Sequence, residues 1–492
     1  MSVSPHSAIE FFRHSQRPIL RWFLPALIGG LIATALILDA VWARSLSLKW
    51  AAPYLNGEAP PLLTILAAAV LAGMLLTATV IHRWFPPQEF ALIALLFIPT
   101  QLVGFSYANI EPLKICLLIT SGILLTSSLV NNRTIRLYPP FLMIWLLILI
   151  FSLLSIVNGQ VTSLVSQYSI VAKFLMFFVV ANVIRTPDQL LYAVRLLVAL
   201  GVISAVAALA QEALYYFFKI PLSLDSNASK YWFKETPLGW MIRATGFHPT
   251  AQNLSHYLVI ALALLMLGPF SKAARLMGGT VMALGVFFTF SGNALVVLAF
   301  IVFLVPIVQR PRFSLHYLSA VLLVFLLLYQ SGLLEIIYQK YLLPISGKSA
   351  EDRVELLQTG LDVVARHPLV GIGLNNFGRL SPQPVHNAYM QLVTEIGVIP
   401  GALLLAIMLL IFVRMLIGLG RLPDGELKQS GKGILLAFIG LMFHFMFEPF
   451  INSLVSWSII GLAEATALLL YTRPTVDPLH DRGNVTLTRE RT

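Results

Sequence analysis

Apolar runs of about 17–25 residues recur along this chain, and each is long enough to cross a roughly 30 Å hydrocarbon core as an α-helix. In lipid, backbone N–H and C=O groups find no water, so a spanning segment satisfies them within itself or in a closed barrel. Barrel strands are shorter and alternate apolar with polar side chains, which these runs do not. Composition agrees, with 58% of residues hydrophobic and 11% charged, where a soluble domain is nearer half and a quarter. The expected fold class is therefore all-α, a polytopic helical membrane protein. The runs centre near residues 31, 71, 98, 120, 148, 173, 201, 259, 282, 299, 322, 400, 440 and 461, which gives about 14 spans. Totals of 12 and 13 stay open, because Pro99 interrupts one run and only Ser291-Gly292-Asn293 separates two others.

Charge sets the orientation. With the N-terminus inside, the inner segments hold Arg13, Arg17, Arg21, Arg83, Arg133, Arg136, Arg185, Arg195, Lys272, Arg275, Arg310, Arg312, Arg414, Arg421, Lys428, Lys432 and the arginines after residue 472. Short outer loops carry only Arg44, Lys49 and Lys114. Lys and Arg accumulate on the cytoplasmic side, so both termini are expected in the cytoplasm. The net charge of +11 is then a topology signal, with anionic membrane lipid as its partner. A basic stripe interleaved with aromatics is absent, so no nucleic-acid partner is expected. Cys116 is the single cysteine and lies in an apolar run, which removes internal disulfides, zinc and thiol catalysis from consideration.

The chain divides into a leader (1–21), an N-terminal bundle (22–213), a first outer loop (214–249), further spans (250–330), a large outer loop (331–388), C-terminal spans (386–471) and a polar tail (472–492). Two long loops on one face, each expected to carry short helices, point to function there. In the second loop Ser349 and Asp352 fit a capping box opening a helix. Val354, Leu357, Leu361 and Val364 then recur at helical spacing, so this lid helix is expected to rest on the membrane surface or on neighbouring spans. Pro368 stops it, Gly371-Ile372-Gly373 reverses the chain, and re-entry begins at His386. The Gly-Ile-Gly turn follows no strand and opens no phosphate-loop helix, so it is read as backbone geometry.

Ionisable groups beside hydrocarbon are costly and tend to mark chemistry or a pathway. Arg353 starts the lid helix and is either an exposed helix charge or an anion clamp, since a guanidinium fork fits phosphate oxygens bidentately. His386 is either a helix-start residue or a group that exchanges a proton near neutral pH. Asn387, Gln391 and Glu395 follow at four-residue steps, one stripe expected to face the bundle interior, and interhelical hydrogen bonding is the plain reading of the last two. Arg243 and His248 precede Asn253 and His256 of the next span, as cationic donors or as a snorkelling Arg beside a Pro-capped helix start. Lys173 lies deep in its span and needs a partner, which Glu395 or Glu448 supplies. His444 and Glu448 stand four apart, but a third ligand is missing, so no metal site is expected. No cofactor is expected.

RVELLQTGLDVVARHPLVGIGLNNF from Arg353, followed by HNAYMQLVTEIGVIPGALLL from His386, resembles the signature region of the bacterial O-antigen ligase and O-antigen polymerase superfamily. RATGFHPTAQN, residues 243–253, is similar to its upstream motif. The resemblance covers residues 243–400 and does not separate polymerase from ligase. It implies an inverting, metal-independent glycosyltransferase in the bacterial inner membrane, with its site open to the periplasmic face. The donor would be a glycan on undecaprenyl diphosphate, and the acceptor a sugar hydroxyl of a growing chain or of lipid A-core, in O-antigen, capsule or exopolysaccharide assembly. Arg353 would hold the diphosphate, Arg243 would be a second clamp, and His386 the base. His248, Asn253, Asn376, Asn387 and Tyr389 complete the candidate substrate contacts. A flippase or chain-length regulator is a candidate neighbour. The span total departs from the family's simplest layout of 12. The competing reading, a transporter or flippase for lipid-linked oligosaccharide, expects midplane charges and repeated halves with broken helices; the sequence offers Lys173 and no repeat.

Overall fold

The computed structural model describes residues 87–102, 139–154, 162–218, 239–332 and 385–471, with 233–236, 335 and most of 113–124 and 343–381. The leader, the spans expected near 31 and 71, Arg133, Arg136 and the tail lie outside the described residues. The apolar runs form α1 (Pro87–Phe97), α2 (Pro139–Leu154), α3 (Thr162–Val183), α4 (Pro187–Phe218), α5 (Ala251–Leu267), α6 (Lys272–Phe288) and α7 (Gly292–Gln309). They continue as α8 (Ser314–Gln330), α9 (Leu343–Arg366), α10 (Ala388–Ile396), α11 (Val398–Arg421), α12 (Glu426–His444) and α13 (Leu454–Tyr471).

The protein is a multi-pass helical membrane protein. Pro187–Phe218, Gly292–Gln309, Pro311–Gln330 and Val398–Arg421 are long and apolar enough to cross a bilayer. Shorter apolar stretches are Phe90–Thr100, Phe141–Phe151, Val171–Val183, Ala251–Leu267 and Leu454–Leu470. The total of 14 is therefore not established by the described residues. At Pro99, which cannot donate to a helical ladder, the first of these tightens into a 3-10 turn, Ile98–Leu102.

Helix α5 is the axis. Beyond its polar first turns it is apolar on every side, and it is almost wholly buried, as a helix without a polar face must be, with α4, α6, α7 and α12 packed around it. Small residues let backbones approach. A Cβ on Gly433 of α12 would meet Leu264 O at 3.2 Å, and one on Gly461 of α13 would meet Phe177 O of α3 at 2.8 Å. Helix α8 packs on α7 and leaves Leu315, Leu322 and Leu327 exposed, a surface suited to lipid. Arg414, expected among the inner loop charges, is instead buried within α11 and paired with Glu464 of α13.

The connections α3–α4, α5–α6, α7–α8 and α11–α12 share one end, tied together by Arg195–Glu426 at 3.4 Å and by Lys432 Nζ donating to Gln309 O at 3.0 Å. The opposite end gathers the start of α5, the α6–α7 and α12–α13 connections, and the start of α10.

Three local expectations change. Among its described residues the first outer loop carries an antiparallel hairpin, β1 (Phe233–Thr236) and β2 (Gly239–Ile242), with Phe233 opposite Ile242, where the sequence suggested short helices. The aromatic and branched residues of both strands suit a pleated surface. Helix α9 starts at Leu343, because Pro344 is preset for a first turn, so Ser349 and Asp352 lie inside it and Arg353 sits mid-helix. Its Leu356, Gly360 and Val363 turn inward while Val354, Leu357 and Leu361 are exposed. The span expected to run on from His386 is two helices, α10 and α11, broken at Gly397. That glycine has φ +99°, and a Cβ there would lie 2.1 Å from Leu369 O. Ile372 N and Gly373 N donate to Thr394 O and Glu395 O, both at 2.9 Å, and Val398 N donates to Pro368 O at 2.8 Å. The Gly-Ile-Gly turn thus satisfies carbonyls at the end of α10 that the helix leaves open.

Candidate functional site

Glu448, buried in the connection between α12 and α13, organises the polar end of the bundle. Its Oε1 accepts from Asn293 Nδ2 at 2.7 Å and lies 3.9 Å from Arg353 Nη2. Its Oε2 lies 3.4 Å from His386 Nδ1. Asn293 Oδ1 accepts from Arg353 Nη1 at 3.0 Å. A continuous polar chain therefore runs Arg353–Asn293–Glu448–His386, drawn from α9, α7, the α12–α13 connection and the residue before the cap of α10.

Local structure explains the convergence. Asn293 stands in the first turn of α7, three residues after Phe290, which has φ +48°. A bulky side chain in the left-handed region is costly and persists where surroundings over-determine it. Ala388 N donates to Phe445 O at 2.7 Å and Tyr389 OH to Met442 O at 2.8 Å, which pins the start of α10 to the end of α12. Arg243 Nε donates to Thr289 O at 2.9 Å and Ala244 N to Phe288 O at 2.9 Å, which ties the first loop to the α6–α7 connection. Glu448 acts electrostatically on Arg243 as well. The cluster is part open: side chains of Arg353 and His386 are 31% and 27% exposed against 8% for Glu448. Arg353 also keeps a buried Nε with no hydrogen-bond partner.

The other sequence-derived candidates serve mostly their own surroundings. Asn387 is the N-cap of α10, its side chain accepting from Met390 N at 3.0 Å. Asn376 Nδ2 donates to Ile372 O at 2.8 Å inside the turn. The backbone of Asn253 donates to Thr250 Oγ1 at 3.2 Å, so Thr250 caps α5, the type of side chain that satisfies a first-turn N–H. His248 is buried against Tyr257, ring centroids 5.6 Å apart, and burial pushes its imidazole down to about 3, so it stands neutral. Gln391 Nε2 donates to Glu395 Oε1 at 3.1 Å within the bundle. Lys173 Nζ donates to Asn452 Oδ1 at 2.7 Å, with Glu395 acting on it electrostatically. His444 turns to His256, Nδ1 to Nδ1 at 3.1 Å, rather than to Glu448. Among the described residues no group of three or more His, Cys, Asp or Glu is placed to hold a metal.

Arg353 and His386 thus meet at Glu448, which also acts electrostatically on Arg243, while the bonds described above for Asn253 and Asn376 are to their own surroundings. Sequence reasoning missed Asn293 and the bridging role of Glu448. It also missed Gln211 of α4, whose Oε1 accepts from Thr245 N at 2.9 Å and Gly246 N at 3.0 Å and so holds the first loop. Each is a polar side chain within or at the end of an apolar run, the cost argument that marked Arg353.

Fold and site together define a multi-pass membrane protein with a cationic, carboxylate-bridged cluster at one end of its helices. Residues 277–406 match a family model described as O-antigen ligase. The match supports the O-antigen ligase and polymerase superfamily, and with it a glycosyltransferase role of that type in a membrane. Asn293, Arg353 and His386 fall inside the matched segment, and Arg243 and Glu448 outside it. No curated protein matches the chain.

Proposed function

We infer that this protein transfers a glycan from undecaprenyl diphosphate to an acceptor sugar hydroxyl during surface polysaccharide assembly, as a polymerase or a ligase. The observation that carries the reading is the meeting of Arg353 and His386 on one carboxylate, at the end of the helices away from the basic connections. Lys and Arg gather on the cytoplasmic side, so this end faces the periplasm of a bacterial inner membrane. The donor's polyprenyl tail stays in lipid and its diphosphate rises to the cluster.

The bond between the anomeric carbon and the diphosphate oxygen breaks as the acceptor oxygen attacks from the opposite face, which inverts the centre. The diphosphate gains negative charge as it leaves. Fixed guanidinium donors therefore stabilise the transition state more than the ground state. Arg353, its side chain about a third exposed, offers its loosely held Nη2, and Arg243 adds positive charge nearby. The acceptor hydroxyl is a weak nucleophile, and His386 takes its proton, a contribution of about 10²–10⁴ in rate for a positioned base.

The test is genetic, then biochemical. The gene is deleted, surface glycan is resolved on a gel, and the strain is complemented with wild type, Arg353→Ala or His386→Ala. Acceptors capped with single repeats identify a polymerase. Long chains stranded on the lipid carrier with bare acceptor identify a ligase. Normal glycan in the deletion strain overturns both. Purified protein given lipid-linked donor and acceptor in detergent forms a product if it is a transferase and none if it is a flippase.

A further inference from the structure

We propose that Glu448 is a positioning residue that fixes the tautomer of His386 and, through Asn293, keeps Arg353 in register with it. The proposal rests on the transferase reading and assigns a role to a side chain outside the matched segment.

A carboxylate only accepts hydrogen bonds. The contact between Glu448 Oε2 and His386 Nδ1 at 3.4 Å therefore places a proton on Nδ1, and in the neutral ring, the form that can act as a base, this leaves the lone pair on Nε2. Ring tautomers are assigned from such partners, and here the partner allows one assignment. Nε2 is then the atom that takes a proton from an acceptor hydroxyl. The other oxygen of Glu448 sets the amide of Asn293 in the same way. Nδ2 must face the carboxylate and Oδ1 the guanidinium, since a flipped amide would oppose N–H to N–H at Arg353. One side chain thus dictates the orientation of the base directly and of the anion clamp through a single amide. The backbone bond from Ala388 N to Phe445 O limits how far His386 can drift from this frame.

Substitutions of nearly equal size separate this role from packing. In Glu448→Gln the amide oxygen still accepts from Asn293, but the amide nitrogen donates to His386 Nδ1 and drives the ring proton to Nε2. The expected result is a kcat lower by about 10²–10⁴, the span attributed to a correctly protonated base, with donor KM nearly unchanged. Glu448→Asp keeps an acceptor and is expected to be more active than Glu448→Gln despite its shorter reach. Glutamine equal to wild type, or better than aspartate, overturns the proposal, because a space-filling or neutral role favours the isostere.

A second measurement does not depend on turnover. Solid-state 15N spectra of histidine-labelled full-length protein in lipid, with His386 assigned by its loss in His386→Gln, are expected to show a protonated Nδ1 and a bare Nε2. A protonated Nε2 with bare Nδ1 in the wild type overturns the proposal even if no variant folds. If the wild type transfers no glycan but shows the Nδ1 proton, the transferase reading fails while the assignment to Glu448 stands.

Discussion

Among the described residues, two arginine–glutamate meetings within the bundle share chemistry and differ in enclosure, apart from the exposed Arg195–Glu426 pair at its basic end. In the first, Arg414 Nη1 donates to both oxygens of Glu464 at 2.9 and 2.8 Å, and the side chains are 10% and 3% exposed. Phe141 lies beside the guanidinium, its ring centroid 5.8 Å away. In the second, Arg353 stands 3.9 Å from Glu448 and is about a third exposed, with Asn293 wedged between them. The carboxylate there is shared with a histidine, and the guanidinium keeps an unmet buried donor. A closed pair spends its donors on the fold. An open one holds them for something that arrives. On this contrast Arg414–Glu464 joins α11 to α13, and the Glu448 cluster works on a substrate.

The sharpest way to break the contrast is to remove His386. His386→Ala is expected to lower transfer by about 10²–10⁴, equivalent to roughly 3–5.5 kcal/mol of transition-state stabilisation, while the melting temperature in detergent stays close to wild type. A variant that melts early and keeps its specific activity would make His386 a structural residue like Arg414. Next in size is Glu464→Ala, which takes the carboxylate away from a buried guanidinium. A loss of about 3–5 kcal/mol in stability is expected, read as a fall in melting temperature or yield, with activity per folded molecule retained. Arg353→Ala follows, with transfer lowered by about 10²–10³ and thermal stability held. Arg353→Lys is expected to restore little, because an ammonium cannot reproduce the planar fork. Restoration by lysine would mean that charge alone is needed, and the geometric part of the contrast would fall.

Much of this was legible in the chain because the physics of lipid is unforgiving. Length and apolarity of the runs gave a helical membrane bundle, and the cost of charge beside hydrocarbon singled out Arg353, Arg243 and His386. Their meeting depends on contacts between segments far apart in sequence, which no local pattern encodes. Glu448 sits between Phe447 and Pro449 with no motif, and four-residue spacing tied it to His444, whereas folding turns it to Asn293. The break at Gly397 was equally hidden. A glycine inside an apolar run reads as a tolerated helix residue until the backbone of Leu369 is seen against it. Lys173 announced its need for a partner: Glu395, one of the two carboxylates expected, acts on it electrostatically, but its hydrogen bond goes to Asn452, a neutral oxygen that charge matching does not search.

The smallest expected effect isolates enclosure from distance. Arg195 and Glu426 lie 3.4 Å apart at the basic end, with side chains 35% and 60% exposed, and His386 and Glu448 are also 3.4 Å apart. Water and salt screen the first pair, and exposed pairs contribute about 0–1 kcal/mol. Arg195→Ala is therefore expected to change stability by less than about 1 kcal/mol and to leave transfer untouched, with any residual effect fading as ionic strength rises. Both readouts come from melting curves at low and high salt and from one transfer assay. Should Arg195→Ala cost as much stability as Glu464→Ala, separation rather than burial would govern these pairs, and the loose contacts around Glu448 would lose their meaning as a site held open.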